Sequence, residues 1–191
     1  MGESPADDPA FLARLRDGEE AAFARLVEDH QDRIARFLYR MLGPGGDIED
    51  AAQVVFTKAF LSIGSFREEV SLESWLYRIA RNHAIDRLRR KKARPERTFA
   101  SLSEDEQVHV EEHVAAPGDD PSERAEATER SRAAFEALSK ISEDDRALLI
   151  LKEVEGKSLE EISKITGASV GALKVRVFRA RQRLKKAAVW E

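Results

Sequence analysis

Residues 158–186 read SLEEISKITGASVGALKVRVFRARQRLKK, and this stretch decides the fold of the chain. Ser158 and Glu161 have the spacing of a capping box, so a helix is predicted to begin there. Gly167 then stands in a Thr-Gly-Ala turn, where glycine can take a positive φ, and Ser169 is suited to cap a second helix. Two helices joined by so short a turn predict a helix-turn-helix, which commonly places its second helix in the DNA major groove.

The second predicted helix is basic and has two distinct faces. Its apolar face recurs at three- and four-residue steps and consists of Leu173, Val177, Ala180 and Leu184. Seven cations and no acid lie between residues 174 and 186. At about 100° per residue, the opposite face consists of Lys174, Val175, Phe178 and Arg179. Apolar groups can contact thymine methyls while Arg or Lys reaches guanine or phosphate, so we expect this face to meet base edges, with a merely solvated basic helix as the alternative.

Two further helices are predicted upstream of this pair. Ser142 precedes three acids and suits the N-cap of a helix that contains residues 148–151 and ends near Gly156. Another helix is predicted at about residues 122–139. Together the four helices make a unit of about 65 residues, 122–188, which is close to the lower size limit for a self-sufficient core.

The first half of the chain is predicted to hold four more helices. Asp8 and Pro9 start a short one, and a long amphipathic helix follows and ends at Gly43. A third helix spans about residues 47–63. Its inward residues are expected to be Ile48, Ala51, Ala52, Val55, Ala59 and Phe60. A fourth begins after Ser71, carries two apolar rows that predict burial between helices, and ends in a basic run that is expected to project.

Charge is strongly segregated along the chain, although the net charge is only −4. Residues 78–94 hold eight cations against one acid, a net charge of +7, and residues 96–130 hold eleven acids against three cations, a net charge of −8. The acidic stretch is punctuated by proline and lacks an apolar period, so residues 96–121 are predicted to be a flexible linker. We therefore predict an all-α chain in which this acidic linker joins two small helical domains, residues 8–95 and 122–188.

Composition excludes several classes of protein. The 191 residues include no cysteine, which removes disulfides, thiolate catalysis and cysteine-based metal sites. The first residues are acidic, and no apolar run approaches the ~20 residues that span a bilayer, so we expect a soluble cytoplasmic protein without membrane insertion. No phosphate-binding loop or catalytic triad is present, and the pattern HVEEH at residues 109–113 lies in the acidic stretch without an apolar scaffold. The sequence therefore predicts that the chain is not an enzyme and has no metal and no cofactor.

Two motifs in the first half carry a family resemblance. DIEDAAQVVFTKAF at residues 47–60 and WLYRIARNHAIDRLRR at residues 75–90, with SFR at residues 65–67 between them, resemble conserved region 2 of bacterial sigma factors. The C-terminal helix-turn-helix unit resembles region 4 of the same family. Because it has only these two regions and a linker, the chain resembles the extracytoplasmic-function (ECF) group, and the similarity spans about residues 8–94 and 127–188.

The resemblance implies a partner for each surface. The acidic helix of region 2 docks on a coiled coil of core RNA polymerase in such factors, and the matching residues here are Asp47, Glu49, Asp50 and Gln53. The segment at residues 66–94 would bind the minus-10 element and hold non-template bases as the duplex opens. Its matching residues are Asn82, Asp86, Arg87 and Arg90. Region 4 would bind the minus-35 element through Lys174, Val175, Arg176, Phe178 and Arg179.

The family pattern also contains features outside these contacts. Factors of this kind are usually held inactive by an anti-sigma protein, so such a partner is expected here. The family usually has an acid where this chain has Val54, and often tryptophan where it has Phe60. The implied function is a sigma factor that binds core RNA polymerase, recognises minus-35 and minus-10 promoter elements and promotes strand opening.

Two other classes of function stay open on the residues alone. A conventional helix-turn-helix regulator would form a homodimer on a palindrome without polymerase, but it leaves the basic run at residues 78–94 unexplained. An enzyme with an appended DNA-binding tail would need a catalytic set of residues that the sequence does not provide.

Overall fold

The computed structural model describes residues 8–43, 46–93 and 132–188. The helices of the first half are α1 (Pro9–Arg16), α2 (Glu20–Leu42), α3 (Ile48–Ser62) and α4 (Leu72–Ala93), with a 3-10 turn at Ile63–Ser65. In the second half, residues 132–139 are helical. They are followed by α5 (Glu143–Leu149), a π-helical turn at Ile150–Val154, α6 (Leu159–Thr166) and α7 (Val170–Ala188). The all-α prediction is confirmed, since no strand occurs in these ranges, and the linker predicted at residues 96–121 lies outside them.

The helix boundaries in the first half follow local capping chemistry. Asp8 accepts a hydrogen bond from the Ala10 amide at 3.0 Å, and Pro9 occupies the first turn of α1, as predicted. Helix α2 ends at Gly43, whose φ is +82°. A Cβ atom at Gly43 would also collide with the ring of Phe135, so both the backbone conformation and the packing require glycine there.

Helix α3 buries a narrower stripe than predicted. Its most buried positions are Ala51, Val55 and Ala59, which have no exposed surface. Phe60 lies about 100° around the helix from Ala59, so it falls at the edge of the stripe, and 45% of it is exposed. The prediction that Phe60 points inward is therefore wrong. Its ring contacts Phe23 of α2 edge to face at 5.1 Å, and Phe56 is buried instead.

Helix α4 is buried on more than one side, as its two apolar rows predict. Trp75 contacts Phe66 of the preceding loop, with ring centroids 5.3 Å apart, and Tyr77 meets Phe37 of α2 edge to face at 5.4 Å.

The basic end of α4 does not project freely, contrary to expectation. Arg89 lies 3.3 Å from Asp144 of α5, and Lys92 forms an ion pair with Glu143.

The helix-turn-helix forms as the sequence predicts. Ser158 Oγ accepts from the Glu161 amide at 3.1 Å, and the Glu161 carboxylate accepts from the Ser158 amide at 2.8 Å, so the capping box is complete. Gly167 takes a φ of +77° in the turn, and Ser169 Oγ accepts from the Ala172 amide at 3.3 Å. The face predicted to be apolar then packs inward, with Leu173, Val177 and Ala180 buried and Leu184 half-buried.

A wide turn between α5 and α6 brings charged residues to α4. The π-helical residues Ile150–Val154 end with a hydrogen bond from the Glu155 amide to the Ile150 carbonyl at 3.0 Å, and Gly156 follows with a φ of +66°. Glu155 then accepts a hydrogen bond from the Tyr77 hydroxyl at 2.7 Å. Lys157 Nζ lies 2.5 Å from the Glu73 carboxylate and 5.2 Å from the centre of the Tyr77 ring.

The two halves consequently share one hydrophobic core. The buried cluster runs from Phe11 of α1 through α4 to Val177 of α7. Arg146 of α5 is buried and donates to the Met41 carbonyl at the end of α2, at 2.7 Å. In this arrangement α4 is the central helix, because it packs against α2 and α3 on one side and against α5 and α6 on the other.

The hydroxyl of Tyr77 provides a test of this packing. Tyr77 is buried, and burial together with the Glu155 carboxylate raises the pKa of Tyr77 above its usual range, so the phenol stays a hydrogen-bond donor. We expect Tyr77→Phe to lower the free energy of unfolding by about 2 kcal/mol in urea titrations, because a hydrogen bond to a buried charged group is lost. Tyr39→Phe is the matched control, since the Tyr39 hydroxyl has no hydrogen-bond partner among the described residues. Equal effects of the two substitutions would contradict the buried hydrogen bond from Tyr77 to Glu155.

Candidate nucleic-acid interfaces

Asp145 in the first turn of α5 holds the basic helix α7 in place. Asp145 is 1% exposed and accepts from Arg176 Nε of α7 at 2.8 Å and from Arg183 of α7 at 2.5 Å. Burial raises the pKa of Asp145, but the hydrogen bonds from these two guanidinium groups outweigh it, and the pKa lies below its usual range. The carboxylate therefore stays charged, and it fixes the orientation of α7 against α5.

Helix α7 presents the mixed basic and apolar surface that the sequence predicts. Val175 is 50% exposed and Phe178 is 64% exposed, although most large apolar side chains in the described part of the chain are buried. Lys174 and Arg179 are exposed beside them, and the four residues make one continuous face, called here the α7 face. Arg176 differs from the other predicted minus-35 residues, because its Nε is bound to Asp145 while 44% of its side chain is exposed.

The predicted minus-10 residues lie along one exposed strip of α4, where Asn82 accepts a hydrogen bond at 3.1 Å from Arg81, which contacts α5. Asn82, Asp86 and Arg90 are exposed at successive turns of the helix. Arg87 lies beside them and is partly engaged: its guanidinium is 3.4 Å from the Asp50 carboxylate and 3.5 Å from the Asp47 carbonyl. These contacts place the predicted minus-10 residues directly next to the predicted polymerase-binding residues of α3.

The start of α3 forms an exposed acidic surface. Asp47 caps the helix, with its carboxylate accepting from the Asp50 amide at 3.3 Å, and its φ of +45° turns the chain sharply into the helix. Glu49, Asp50 and Gln53 are exposed on the next turns, and Val54 is half-buried. Further along, Leu61 is 77% exposed beside Phe60, so the outward side of α3 changes from acidic to apolar toward its C-terminal end.

A second set of α4 cations lies within the segment expected to bind the minus-10 element but is not among the residues matched to that contact. Arg81 and Arg89 both contact Asp144, and Lys92 contacts Glu143. These cations recur at three- to eight-residue steps on the α4 side that faces α5. The sequence shows that they are basic, but nothing local in it indicates that acids more than fifty residues away lie opposite them.

His83 lies between α3 and α4 and has no role in these surfaces. Its Nε2 is buried without a hydrogen-bond partner, and burial, assisted by the nearby cations Lys58 and Arg87, lowers the pKa of His83. A neutral imidazole is therefore expected near pH 7.

No group of three or more His, Asp or Glu side chains in the described ranges is placed to bind a metal ion, and the HVEEH pattern at residues 109–113 lies outside those ranges. None of the helices described is both long and apolar enough to cross a membrane.

Two family models match the chain, one to each half. The first is described as Sigma-70 region 2 and matches residues 26–94, and the second is described as Sigma-70, region 4 and matches residues 131–184. ECF RNA polymerase sigma factor SigW of Bacillus subtilis is 34% identical over 176 residues, which cover 92% of this chain and 93% of that protein. The ECF RNA polymerase sigma-E factor of Haemophilus influenzae is 34% identical over 178 residues, which cover 93% of each protein.

Solved structures share the arrangement of helices. A structure of CnrH in complex with the cytosolic domain of CnrY aligns with a TM-score of 0.66 at 23% identity and covers 94% of this chain and 96% of that one. The sigma factor RpoE, solved with the anti-sigma factor NepR from Bartonella quintana, aligns with a TM-score of 0.62 at 24% identity and covers 88% and 98% of the two chains. At these identities the likeness concerns the fold.

The exposure of the α7 face predicts that its apolar side chains contribute little to stability. We expect Phe178→Ala to change the free energy of unfolding by less than about 0.5 kcal/mol, as for most surface substitutions. Leu173→Ala, five residues earlier on the buried face of the same helix, should cost about 2–5 kcal/mol. Urea unfolding of both variants measures the contrast. A loss of more than about 1 kcal/mol in Phe178→Ala would show that this ring belongs to the core rather than to a binding surface.

Proposed function

The chain belongs to the ECF group of RNA polymerase sigma factors, and on that basis we propose how its exposed surfaces divide the work of transcription initiation. It acts as a sigma factor of RNA polymerase in transcription initiation, within a family of transcription regulators that are not known as enzymes. We assign promoter and polymerase binding to two domains, residues 8–95 and 122–188, with residues 96–121 as the acidic linker between them.

The upstream promoter element is assigned to α7. The observation that carries this assignment is the exposure of Val175 and Phe178 inside a basic face. Lys174 and Arg179 can bind phosphates or guanine, and the two apolar side chains can contact thymine methyls in the major groove. Arg176 completes the set of minus-35 residues, held in its orientation by Asp145. Its engagement with Asp145 supports a positioning contribution as well as contact with DNA.

The downstream element is assigned to the outer side of α4. Asn82, Asp86 and Arg90 are exposed there, and Arg87 lies beside them. Bases that leave the duplex need polar partners for their edges, and the strand needs cations for its phosphates, and this surface offers both. Unstacking bases costs on the order of a few kcal/mol, so the free protein should open DNA poorly until polymerase binding contributes energy.

Core RNA polymerase is assigned to the acidic start of α3. Asp47, Glu49, Asp50 and Gln53 are exposed on it. Because Arg87 contacts both Asp47 and Asp50, polymerase docked on α3 would lie next to the residues that hold the opened strand. This adjacency supports coupling between polymerase binding and strand opening.

Three further parts of the proposal follow from the family. We assign the chain to the cytoplasm, where polymerase and promoters are, and give it no catalytic reaction of its own. An anti-sigma protein is its expected inhibitor, because factors of this group usually have one and the RpoE relative was solved with one. We assign it no metal and no cofactor.

Reconstituted transcription tests the assignment of the promoter surfaces. A promoter selected from a randomised library with core polymerase and this chain provides the template. We expect Phe178→Ala to reduce initiation about tenfold, which corresponds to the ~1.4 kcal/mol of one lost base contact. Replacing the minus-35 sequence should then cause a smaller fold-loss in this variant than in the unsubstituted protein, because one base contact to that element is already missing. If the minus-35 replacement reduced initiation by the same factor in both proteins, the assignment of α7 would be wrong.

The polymerase surface has its own matched test. Glu49→Lys should weaken binding to core polymerase several-fold or more, because it places a cation where the acidic face meets its partner. Glu28→Lys makes the same charge change at an exposed position of α2 that lies outside this surface, and it should leave binding nearly unchanged. Fluorescence-monitored titration of each protein with core polymerase gives the two affinities. Indistinguishable affinities would exclude the start of α3 as the docking surface.

A further inference from the structure

A single buried carboxylate holds two arginines of α7. Asp145 lies in the first turn of α5, where its amide donates to the Ser142 hydroxyl at 3.2 Å, and only 2% of the Asp145 side chain is exposed. Its Oδ1 accepts from Arg176 Nε at 2.8 Å, and its Oδ2 accepts from Arg183 Nη1 at 2.5 Å. Because each oxygen serves a different arginine, neither guanidinium forms the pair of parallel hydrogen bonds that often joins an arginine to a carboxylate.

This division leaves most of the Arg176 guanidinium free. An arginine side chain has five N–H donors, and Asp145 binds only the one on Nε. The two terminal nitrogens form no hydrogen bond with any residue that the structure describes, and 44% of the side chain is exposed. The remaining donors are thus presented to solvent as a planar fork, in an orientation that the buried carboxylate sets. Such a fork fits the oxygens of a phosphate.

Arg176 lies beside the α7 face rather than within it. At about 100° per residue, Arg176 is roughly 60° beyond Arg179 and roughly 160° from Phe178, on the side of α7 that is turned toward α5. A helix with its side chains is about 10–12 Å across and the major groove is about 12 Å wide, so a helix in the groove turns one face to the bases and its sides to the phosphates. The position of Arg176 therefore favours a contact with phosphate, whereas Phe178 and its neighbours meet the bases.

We propose that Arg176 is a phosphate contact of the upstream promoter element and that Asp145, which does not itself touch DNA, is the residue that positions it. This inference rests on the proposed function and deepens it, since base reading is left to the α7 face while Arg176 fixes where α7 sits in the groove. Phosphate contacts set the register of a protein on the duplex without carrying sequence information. Holding Nε in advance also lowers the side-chain entropy that is lost when DNA binds.

The test uses the full chain bound to core polymerase and two duplex fragments, the selected promoter and the same promoter with its minus-35 sequence replaced. Arg176→Ala should weaken binding about three- to tenfold, by the same factor on both fragments, and should reduce the slope of log affinity against log salt by about 1. Phe178→Ala is the contrasting control, because it removes an uncharged side chain from the α7 face. It should weaken binding mainly on the fragment with the intact minus-35 sequence and leave the salt slope unchanged.

Lysine in place of Arg176 tests the positioning by Asp145. Lysine keeps the charge but has a single nitrogen, which cannot serve both the buried carboxylate and a phosphate outside it. Arg176→Lys should therefore weaken binding nearly as much as Arg176→Ala while Asp145 is present. In an Asp145→Asn background the carboxylate no longer competes, so adding Arg176→Lys should change the affinity by less than about twofold. The charge removed with Asp145 cancels, because each comparison is made within one background.

Three results would overturn the proposal. A loss in Arg176→Ala that is confined to the intact minus-35 fragment would make Arg176 a base reader, and no loss on either fragment would remove it from the interface. A penalty for Arg176→Lys of the same size with and without Asp145 would exclude positioning by that carboxylate. If Asp145→Asn fails to fold, Arg176→Lys alone decides, since an affinity equal to that of the unsubstituted protein would contradict a held guanidinium.

Transcription from the selected promoter separates this inference from the proposed function. If the unsubstituted chain directs transcription that depends on the minus-35 sequence, and the Arg176 variants bind as it does, only the phosphate contact is wrong. If the chain directs no transcription, the proposed function fails. A shallower salt slope for Arg176→Ala, measured with the free full chain on a duplex of arbitrary sequence, would then still support the phosphate contact.

Discussion

The burial of helix α4 from two directions is the constraint on which the rest of the structure depends. A helix that carries Trp75, Leu76 and Tyr77 in adjacent positions has apolar surface on more than one side, and α2 and α3 cover only part of it. The rest of this apolar surface includes the ring of Tyr77, whose buried hydroxyl requires a hydrogen-bond partner. Glu155 provides that partner from the second half of the chain, and Arg40 lies 3.2 Å from the same carboxylate and balances its charge. The hydrogen bond to Tyr77 and the apolar contacts with α4 therefore fix the position of the second domain against the first.

The acidic first turn of α5 forms ion pairs with both basic helices, α4 and α7. Acids at a helix N-terminus are favoured by the helix dipole, so three in succession are expected in isolation. Their directions differ, however: Asp145 holds the basic helix α7 of its own domain, and Glu143 and Asp144 reach across to the basic helix of the other. One turn of helix thus contacts both basic helices, α4 and α7.

The parts of this structure that could be predicted from sequence are those set by neighbours within one or two turns. The capping box of Ser158 and Glu161, the positive φ of Gly167 and the two faces of α7 all arise from short spacings, and each was predicted. Phe60 was placed wrongly because the width of a buried stripe depends on how close the partner helix comes, which periodicity does not reveal. The contacts of Tyr77 with Glu155 and of Arg81 with Asp144 join residues 78 and 63 positions apart, so only the tertiary fold brings them together. The candidate site was predicted where it consists of exposed faces of single helices, and it was missed where one domain covers the other.

The proposed function requires α4 and α7 to engage separate promoter elements at the same time. The chain has no cysteine, so single cysteines can carry a tethered DNA-cleaving iron chelate without any other substitution. Lys91→Cys places the label on the exposed basic end of α4, and Ala172→Cys places it on the exposed start of α7. In complexes of polymerase, this chain and promoter, the α4 label should cut the DNA near the minus-10 element and the α7 label should cut it at a separate position near the minus-35 element. Cleavage by both labels at one position would contradict the claim.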